Sequence, residues 1–160
     1  MQAAMPRQTF ADPDGMDRIV AGIRGQGVSA NLVTADKVDS LDREKGAYLL
    51  LLWLERPVRL AGSNPARLQP GWYVYAGSAK GSGGIGARLR RHFAREKRLH
   101  WHIDRLTVDA ASIAALAVAG GDECELVACL LGDPAFTAAA KGFGNTDCRV
   151  CESHLLRFDG

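Results

Sequence analysis

Apolar residues occur along the chain in continuous runs and in a helical repeat, and the two patterns predict strands and helices respectively. Residues 47–54 form an unbroken apolar run of strand length, as expected for a strand that is covered on both faces. Residues 71–77 are rich in aromatic and β-branched side chains and predict another strand. Between them, a turn at residues 56–57 predicts that Val58–Leu60 returns antiparallel to the first strand.

Helices are indicated by a four-residue spacing and by an N-terminal cap. Ile85, Leu89 and Phe93 recur at intervals of four after a glycine-rich loop, which predicts a helix with one apolar stripe. A further helix is predicted over residues 123–131, because Asp122 is a good N-cap residue at its start. On the first of these helices, the face beside the apolar stripe is cationic.

The two ends of the chain are less regular. Residues 1–44 are polar, with one helical pattern at residues 16–23. We predict that they form a partly ordered arm, and that a domain follows at residues 45–160. Residues 112–118 suit a strand or a buried helix, and residues 154–158 alternate weakly and predict an edge strand. The predicted fold is therefore α+β, with a small, mainly antiparallel sheet of three or more strands flanked by helices.

The composition argues against a membrane protein. The chain has 160 residues, of which 47% are hydrophobic, so it can form one ordinary globular domain. No apolar run approaches the roughly 18 residues that a membrane-spanning helix requires. Because no apolar segment follows Arg7, we find no sign of a secretory signal and expect a cytoplasmic protein.

Positive charge is concentrated between Lys80 and Arg105. This segment has eight cationic and two acidic side chains, a surplus of six positive charges in a chain whose net charge is +2. The rest of the chain therefore has a surplus of four negative charges. Such a segment is typical of a site that binds a polyanion, although a solvated, arginine-rich helix face gives the same pattern. On a helical wheel, one sector beside the apolar stripe holds Arg88, Arg91, His92 and Arg95.

The glycine-rich loop before this helix matches a nucleotide-binding motif that the rest of the chain does not support. Gly81, Gly83 and Gly86 have the GxGxxG spacing, and Asp104 lies near the position of a ribose-binding acid. Too few residues follow Asp104 for the further strand–helix units of a dinucleotide fold. We therefore predict only that the loop presents backbone N–H groups, at the start of a helix, to phosphate of any kind.

Two short segments on the predicted strands resemble the halves of the GIY-YIG nuclease signature. They are Gly46-Ala-Tyr48 and Tyr75-Ala-Gly77. Arg88 resembles the catalytic arginine of that superfamily, and His92 a histidine one turn later. Further segments resemble one subgroup, the GIY-YIG-like domains of unknown function similar to Uri-type endonucleases: Trp101-His-Ile-Asp104, Glu123-Cys124, Gly142-Phe-Gly-Asn-Thr-Asp-Cys148 and Ser153-His-Leu155. The resemblance covers residues 46–158.

The resemblance implies a GIY-YIG-like fold and a metal-dependent endonuclease or nickase that hydrolyses DNA phosphodiester bonds in repair or processing. It implies Mg²⁺ or Mn²⁺ as cofactor and DNA as partner, and members of the subgroup are sometimes joined to a DNA-repair enzyme. Because the connection between the two triplets is long, we expect an extra strand between the two halves. Asn145 is the candidate for a downstream asparagine of the superfamily.

The site implied by the resemblance contains two phenols, a guanidinium and a carboxylate. Tyr48 and Tyr75 would flank the attacking water, but a tyrosine, with an ordinary pKa of about 10, must become much more acidic to act as a base at neutral pH. A metal ion and Arg88 would favour the phenolate, and Arg88 would also bind the phosphate. Glu123 would hold the metal ion, with Glu125 as the alternative ligand.

Simpler explanations compete at these positions, because tyrosines suit apolar strands and Glu123 could merely complement the dipole of the helix that it begins. His92 could orient a tyrosine or donate a proton, and His102 is a secondary candidate for the catalytic site. Without catalysis, the same scaffold could bind nucleic acid through its basic side chains: Lys80, Arg90, Arg91, Arg95 and Arg98.

The four cysteines are expected to be reduced thiols or metal ligands, because no secretory signal is evident. Cys148, Cys151 and His154 have the spacing of a structural zinc site, and His100 or His102 would supply a fourth ligand. The resemblance accounts for Cys148 and His154 without zinc, and we favour that explanation.

Overall fold

A computed structural model describes residues 12–41, 43–62, 65–144 and 148–160 of the chain. The helices are α1 (Pro13–Gly25), α2 (Gly84–Phe93), α3 (His102–Asp109) and α4 (Glu123–Leu131), with a short 3-10 helix at Val38–Ser40. The strands are β1 (Asn31–Val33), β2 (Gly46–Leu54), β3 (Val58–Leu60), β4 (Ala66–Leu68), β5 (Gly71–Ala79), β6 (Ser112–Ala119), β7 (Phe136–Ala138) and β8 (Leu155–Phe158). Within these ranges, none of the helices combines the length and the apolar character needed to cross a lipid bilayer.

The main sheet has six strands in the order β1-β6-β2-β5-β8-β7, and the neighbouring strands are antiparallel. β2 lies inside this sheet and pairs along its whole length with β5 and along nearly all of it with β6. The predicted α+β class, with a mainly antiparallel sheet and flanking helices, is confirmed.

Helices cover both faces of the main sheet. On one face, Leu89 of α2 and Leu106 of α3 share a core with Leu50 of β2. On the other face, α1 and α4 pack against the alternate β2 residues Leu49 and Leu51. These leucines are fully buried. Because β2 is covered on both sides, it is apolar at every position although the sheet is antiparallel.

Two of the predicted strand pairings are wrong. β3 pairs with β4 in a separate two-stranded sheet and does not return along β2, because β5 and β6 already occupy both edges of β2. β8 is not an edge strand, since it lies between β5 and β7. The long connection between β2 and β5 therefore holds a hairpin outside the main sheet. Residues 112–118, which suited a strand or a buried helix, are part of strand β6.

The described part of the predicted N-terminal arm joins the same fold. α1 begins after Asp12, whose carboxylate accepts a hydrogen bond from the backbone N–H of Gly15 at 2.9 Å. Ile19 and Ile23 of α1 are fully buried, and β1 pairs with β6 at one edge of the sheet. Residues 1–11 lie outside the described residues. A domain boundary at residue 44 stays a prediction.

Candidate active site

A pocket lies beside β5, near the start of β8. β8 pairs with β5 only between Trp72 and Tyr75, and the backbone N–H of Ala76 then donates to the carbonyl of His154 at 3.0 Å. The pocket has a volume of about 430 Å³, which is within the range of ligand-binding clefts. The side chains that the superfamily resemblance assigns to phenols, phosphate binding and metal binding all line it: Tyr48, Tyr75, Arg88 and Glu123.

The register of β2 and β5 sets the position of the two phenols. Tyr48 lies opposite Gly77 in the antiparallel ladder. A Cβ atom at Gly77 would overlap the Tyr48 ring, so only glycine lets that ring lie across the neighbouring strand. Tyr75 is two residues before Gly77 and therefore projects from the same face of the sheet. The glycine of the second triplet is thus explained by the packing of the tyrosine in the first.

Tyr48 is held by His92. The Tyr48 hydroxyl lies 2.7 Å from Nε2 of His92, and both side chains are buried. Burial lowers the pKa of His92 to about 3, with Lys97 acting in the same direction, so the imidazole is neutral at physiological pH. Burial, followed by the neighbouring Tyr75, raises the pKa of Tyr48. His92 does not line the pocket, but it hydrogen-bonds Tyr48, and its ring lies edge-on to that of Tyr75 with 6.5 Å between the centroids.

Tyr75 is the phenol that ionises more readily. Its ring packs edge-on against Phe143, with an angle of 88° between the rings. Burial raises the pKa of Tyr75 to about 12, and the Arg88 guanidinium opposes that rise. Because a nearby positive charge favours the phenolate, a cation bound in the pocket would lower the pKa of both tyrosines.

Arg88 is oriented through the ring of Trp101. The guanidinium of Arg88 lies 4.8 Å from the centroid of that ring, and the guanidinium of Arg91 lies 4.6 Å from it. Both distances are within the range of cation–π interactions. Arg91 is fixed in turn by an ion pair with Asp104, with 2.6 Å between nitrogen and oxygen. This series of contacts connects α3 to the arginine in the pocket.

Asp104 is fully buried and anchors these contacts. Its Oδ2 atom accepts hydrogen bonds from the backbone N–H groups of His100 and Trp101, each at 2.9 Å, as well as from Arg91. Burial alone would raise the pKa of Asp104, but these donors outweigh it and hold the pKa below its ordinary value. The carboxylate is therefore engaged within the fold through its Oδ2 atom.

Glu123 is the first residue of α4 and lines the pocket. Asp122 caps the helix, as predicted, by accepting hydrogen bonds from the backbone N–H groups of Cys124 and Glu125. The Oε2 atom of Glu123 is buried and has no hydrogen-bond partner among the described residues. Buried polar atoms are normally paired, so this oxygen is a candidate ligand for a cation. Glu125 is exposed and does not line the pocket.

The basic face predicted from the helical wheel is not formed as expected. α2 ends at Phe93, so Arg95 lies beyond the helix, where its guanidinium donates to the carbonyl oxygens of Ala110 and Ala111. His92 of the same sector is buried. Arg95 therefore ties the end of α2 to the end of α3.

Three other predicted nucleic-acid-binding residues, Lys80, Arg90 and Arg98, are exposed, and the first two form ion pairs. The ammonium group of Lys80 lies 3.2 Å from the carboxylate of Asp122, and the guanidinium of Arg90 lies 3.7 Å from that of Asp39. The carbonyl of Arg98 accepts a hydrogen bond from Arg91, and its side chain is exposed. None of these cations lines the pocket.

Of the two further candidates, only His102 lies within the described residues, and it does not join the pocket. His102 is exposed at the start of α3, with its ring centroid 6.1 Å from that of Phe143, and it is not a lining residue. Asn145 lies outside the described residues, as does Asp147 of the same quoted segment.

A comparison with protein-family models decides the family. A model described as "Domain of unknown function DUF123" matches residues 47–160, which is well over half of the chain. The chain belongs to the DUF123 family. Neither a comparison with curated proteins nor one with solved structures gave a match. The matched residues of the DUF123 domain include both tyrosines and every residue that lines the pocket.

A cluster of cysteines and a histidine in the DUF123 domain lies against the same pocket. The Sγ atom of Cys124 is 3.4 Å from that of Cys148 and 3.8 Å from Nε2 of His154. With Cys151, the four potential ligand atoms all lie within 4.8 Å of one another, so the cluster could hold a metal ion. The prediction of a fourth ligand from His100 or His102 is wrong, because Cys124 in the first turn of α4 takes that position.

Sequence analysis missed three positions at the candidate site of the DUF123 domain. Trp101 was part of a quoted segment but received no role, and Arg149, an exposed cation, also lines the pocket. Cys124 is 24 residues before Cys148, which is too far for a local spacing motif. The one available signal was that three ligands at 148–154 left a tetrahedral site incomplete while another cysteine preceded them.

Proposed function

We propose that this DUF123 domain is a GIY-YIG-type endonuclease or nickase, which hydrolyses DNA phosphodiester bonds with the help of a divalent metal ion. The observation that carries the proposal is the meeting of Tyr48, Tyr75, Arg88 and Glu123 in one pocket of about 430 Å³. These side chains come from β2, β5, α2 and α4, which are far apart along the chain. Together they match the needs of phosphodiester hydrolysis: a base, a phosphate ligand and a metal ligand.

Arg88 is the group that binds the phosphate. It is half-buried, and the ring of Trp101 limits its freedom, so little side-chain entropy is lost when it binds an anion. A guanidinium can donate two parallel hydrogen bonds to phosphate oxygens, which an ammonium group cannot match. Arg149, which lines the same pocket, adds positive charge for the DNA backbone.

The phenol pair supplies the base. The proton of the attacking water passes to a phenolate, the water oxygen bonds to phosphorus, and the bond from phosphorus to the leaving oxygen breaks. The leaving oxygen then takes a proton from solvent. Tyr75 reaches the phenolate form more readily than Tyr48, whose hydroxyl is held by His92. Separate Tyr48→Phe and Tyr75→Phe variants identify which phenol accepts the proton.

Glu123 is the residue that would hold the metal ion. Its buried, unpartnered Oε2 atom fits a cation that requires oxygen ligands, and a single carboxylate with waters and substrate oxygens is typical of Mg²⁺. A bound Mg²⁺ or Mn²⁺ supplies positive charge that favours the phenolate and stabilises the negative charge of the transition state.

The test is nicking of supercoiled plasmid DNA in the presence of Mg²⁺ or Mn²⁺. Arg88→Ala and Glu123→Gln should each cleave at least about 100-fold more slowly than wild type, because each removes charge stabilisation at the reacting phosphate. Glu125→Gln is the matched control, since Glu125 lies on the same helical turn but is exposed outside the pocket. Equal rates for all variants, or no cleavage of supercoiled or branched DNA by wild type with either ion, would reject an enzyme of this kind.

A nucleic-acid-binding module without catalysis is the second candidate function. This candidate is supported by the raised pKa of both tyrosines. In the protein without a bound cation, both phenols are protonated at neutral pH and cannot act as a base. Such a module would bind DNA through the arginines at and around the pocket. It would not cut DNA, so neither the wild type nor any variant would show strand scission. A repair enzyme as the partner of either function stays a prediction.

A further inference from the structure

We propose that Cys124, Cys148, Cys151 and His154 bind one Zn²⁺ in a closed tetrahedral site that fixes the wall of the pocket. Zinc binding itself does not depend on the proposed nuclease function, whereas its effect on the pocket deepens that proposal. The cluster joins three parts of the chain: the first turn of α4, the loop at residues 148–151, and the residue before β8.

The spacing of the ligand atoms fits a single tetrahedral ion. Zinc binds cysteine sulfur at about 2.3 Å and histidine nitrogen at about 2.0–2.1 Å, so the edges of the ligand tetrahedron are about 3.8 Å between two sulfurs and about 3.5 Å between sulfur and nitrogen. The Cys124 Sγ atom lies 3.4 Å from Cys148 Sγ and 3.8 Å from His154 Nε2. No two of the four ligand atoms are more than 4.8 Å apart, so only small side-chain shifts are needed to bind zinc.

The chemistry of the cluster selects zinc over the metal of the catalytic pocket. Thiolate and imidazole ligands suit zinc, whereas Mg²⁺ requires oxygen ligands. A disulfide between Cys124 and Cys148 would not explain why the side chains of Cys151 and His154 also lie close to these two sulfurs. Four ligand atoms this close together leave no space between them for a cluster of several irons and sulfides. Four protein ligands also close the coordination shell, which is typical of structural and not of hydrolytic zinc.

The position of the cluster shows what the ion would stabilise. Cys124 directly follows Glu123, the proposed ligand of the catalytic metal ion, and Cys148 directly precedes Arg149. The carbonyl of His154 accepts the hydrogen bond from Ala76 of β5. A zinc ion bound here would connect the metal-binding acid, the additional arginine and the tyrosine-bearing strand by coordination bonds.

The test is the metal content of the full chain, prepared in medium containing zinc and measured by mass spectrometry after extensive dialysis. Wild type should hold about one zinc per chain, and Cys148→Ser and Cys151→Ser should hold less than about a tenth of that. Cys129→Ser is the matched control. Cys129 is on the same helix as Cys124, but its thiol donates to Gln26 outside the cluster, so the variant should keep its zinc.

A second measurement covers the case in which the serine variants do not fold. Wild type reconstituted with Co²⁺ should show the visible absorption of a tetrahedral cobalt–thiolate site, and added zinc should abolish it. Wild type without zinc, iron in place of zinc, an octahedral cobalt spectrum, or equal zinc loss in Cys129→Ser would each overturn the inference. Zinc content is measured without DNA, so a zinc-containing protein that fails to cut DNA rejects the nuclease proposal and leaves the zinc site standing.

Discussion

The position of the Tyr48 hydroxyl depends on two single residues that need not touch a substrate. The ring of Tyr48 lies across Gly77, and its hydroxyl bonds to the buried His92. Protein interiors are close-packed, so a change of one methyl group at such a position moves the neighbouring side chain or strains it. We therefore treat Gly77 and His92 as positioning residues of the site.

Replacing Gly77 with alanine should disturb both stability and activity. The added Cβ overlaps the buried Tyr48 ring, and overpacking of this kind lowers the free energy of unfolding by about 1–3 kcal/mol. Urea unfolding measures that loss, and plasmid nicking measures the effect on the displaced phenol. Gly25→Ala is the control, because a Cβ there meets no atom within 4 Å. Equal stability of the two variants would contradict the packing explanation.

The depressed pKa of His92 should make stability depend on pH. Folded His92 stays neutral down to a pH of about 3, whereas the unfolded chain takes up a proton near pH 6.5. Between these values the unfolded state binds more protons, so the free energy of unfolding falls with falling pH by up to about 1.4 kcal/mol per pH unit. The charged groups that influence the ring are Lys97, Asp104, Arg91 and Arg88.

His92→Phe tests this dependence because it keeps a ring at the buried position and removes the titrating group. Urea unfolding at about pH 7 and pH 5 should show a smaller loss of stability in the variant than in wild type. His100→Gln, at an exposed position, should retain the wild-type slope. An unchanged slope in His92→Phe would assign the pH dependence to another group.

At the scale of secondary structure, α2 and α3 are connected by polar contacts as well as by their apolar faces. Asp104 of α3 binds Arg91 of α2, and both Arg91 and Arg88 lie against Trp101. Arg95 adds hydrogen bonds to the carbonyl groups that follow α3. The orientation of Arg88, the arginine that we propose binds phosphate, is therefore a property of the helix pair.

Asp104→Asn should weaken this helix pair. It leaves Arg91 without its counter-charge, and breaking a buried ion pair costs about 3 kcal/mol, here less because Arg91 is partly exposed. Since the pKa of Asp104 is below its ordinary value, the stability that it contributes is present above about pH 4 and is lost at lower pH. Asp109→Asn, which breaks an exposed pair with Arg105, should change stability by about 0.5 kcal/mol at most.

Thermal unfolding near neutral pH compares the two variants, and nicking rates show whether Arg88 has lost its support. If Asp104→Asn is as stable as Asp109→Asn and has unchanged nicking activity, Asp104 does not anchor the site. A loss of stability that persists unchanged at about pH 3 would contradict the assignment to an ionised carboxylate.

At the scale of the whole molecule, the basic segment divides between structural and available cations. Arg91 and Arg95 are engaged between helices, and Lys80 pairs with Asp122. If the pocket binds DNA as proposed, the cations available to the backbone there are Arg88 and Arg149, which line it. Arg98 is also exposed. DNA should therefore contact fewer cations than the count of basic residues suggests.

Binding of a labelled DNA duplex, measured by fluorescence anisotropy, tests this division. The logarithm of the association constant should fall with the logarithm of salt concentration, by about 0.9 for each phosphate contacted. Arg149→Ala should reduce that slope by about one contact. Arg18→Ala, on α1 across the sheet, should leave it unchanged. Binding that does not respond to salt would reject a phosphate-backbone interface in either candidate function.

The sequence predicted features that depend on neighbours along the chain. The apolar run of β2, the stripe of α2 and the Asp122 cap are local patterns, and the structure contains each of them. The place of β8 between β5 and β7 could not be predicted, because strand pairing joins residues distant in sequence. For the same reason, Cys124 was not joined to the other ligands. The helical wheel placed His92 on the cationic face of α2, but in the structure its ring contacts Tyr48 and Trp101, which lie outside that helix.

The ladder between β2 and β5 runs through nine consecutive residue pairs, from Gly46 opposite Ala79 to Leu54 opposite Gly71. Because successive side chains point to opposite faces, a slip by one residue would move Tyr48 to the opposite face of the sheet, away from Tyr75 and the pocket. The position of both phenols in the pocket therefore depends on this register. The β3–β4 hairpin lies outside this ladder, so we expect a reporter peptide inserted between β3 and β4 to leave both phenols in place.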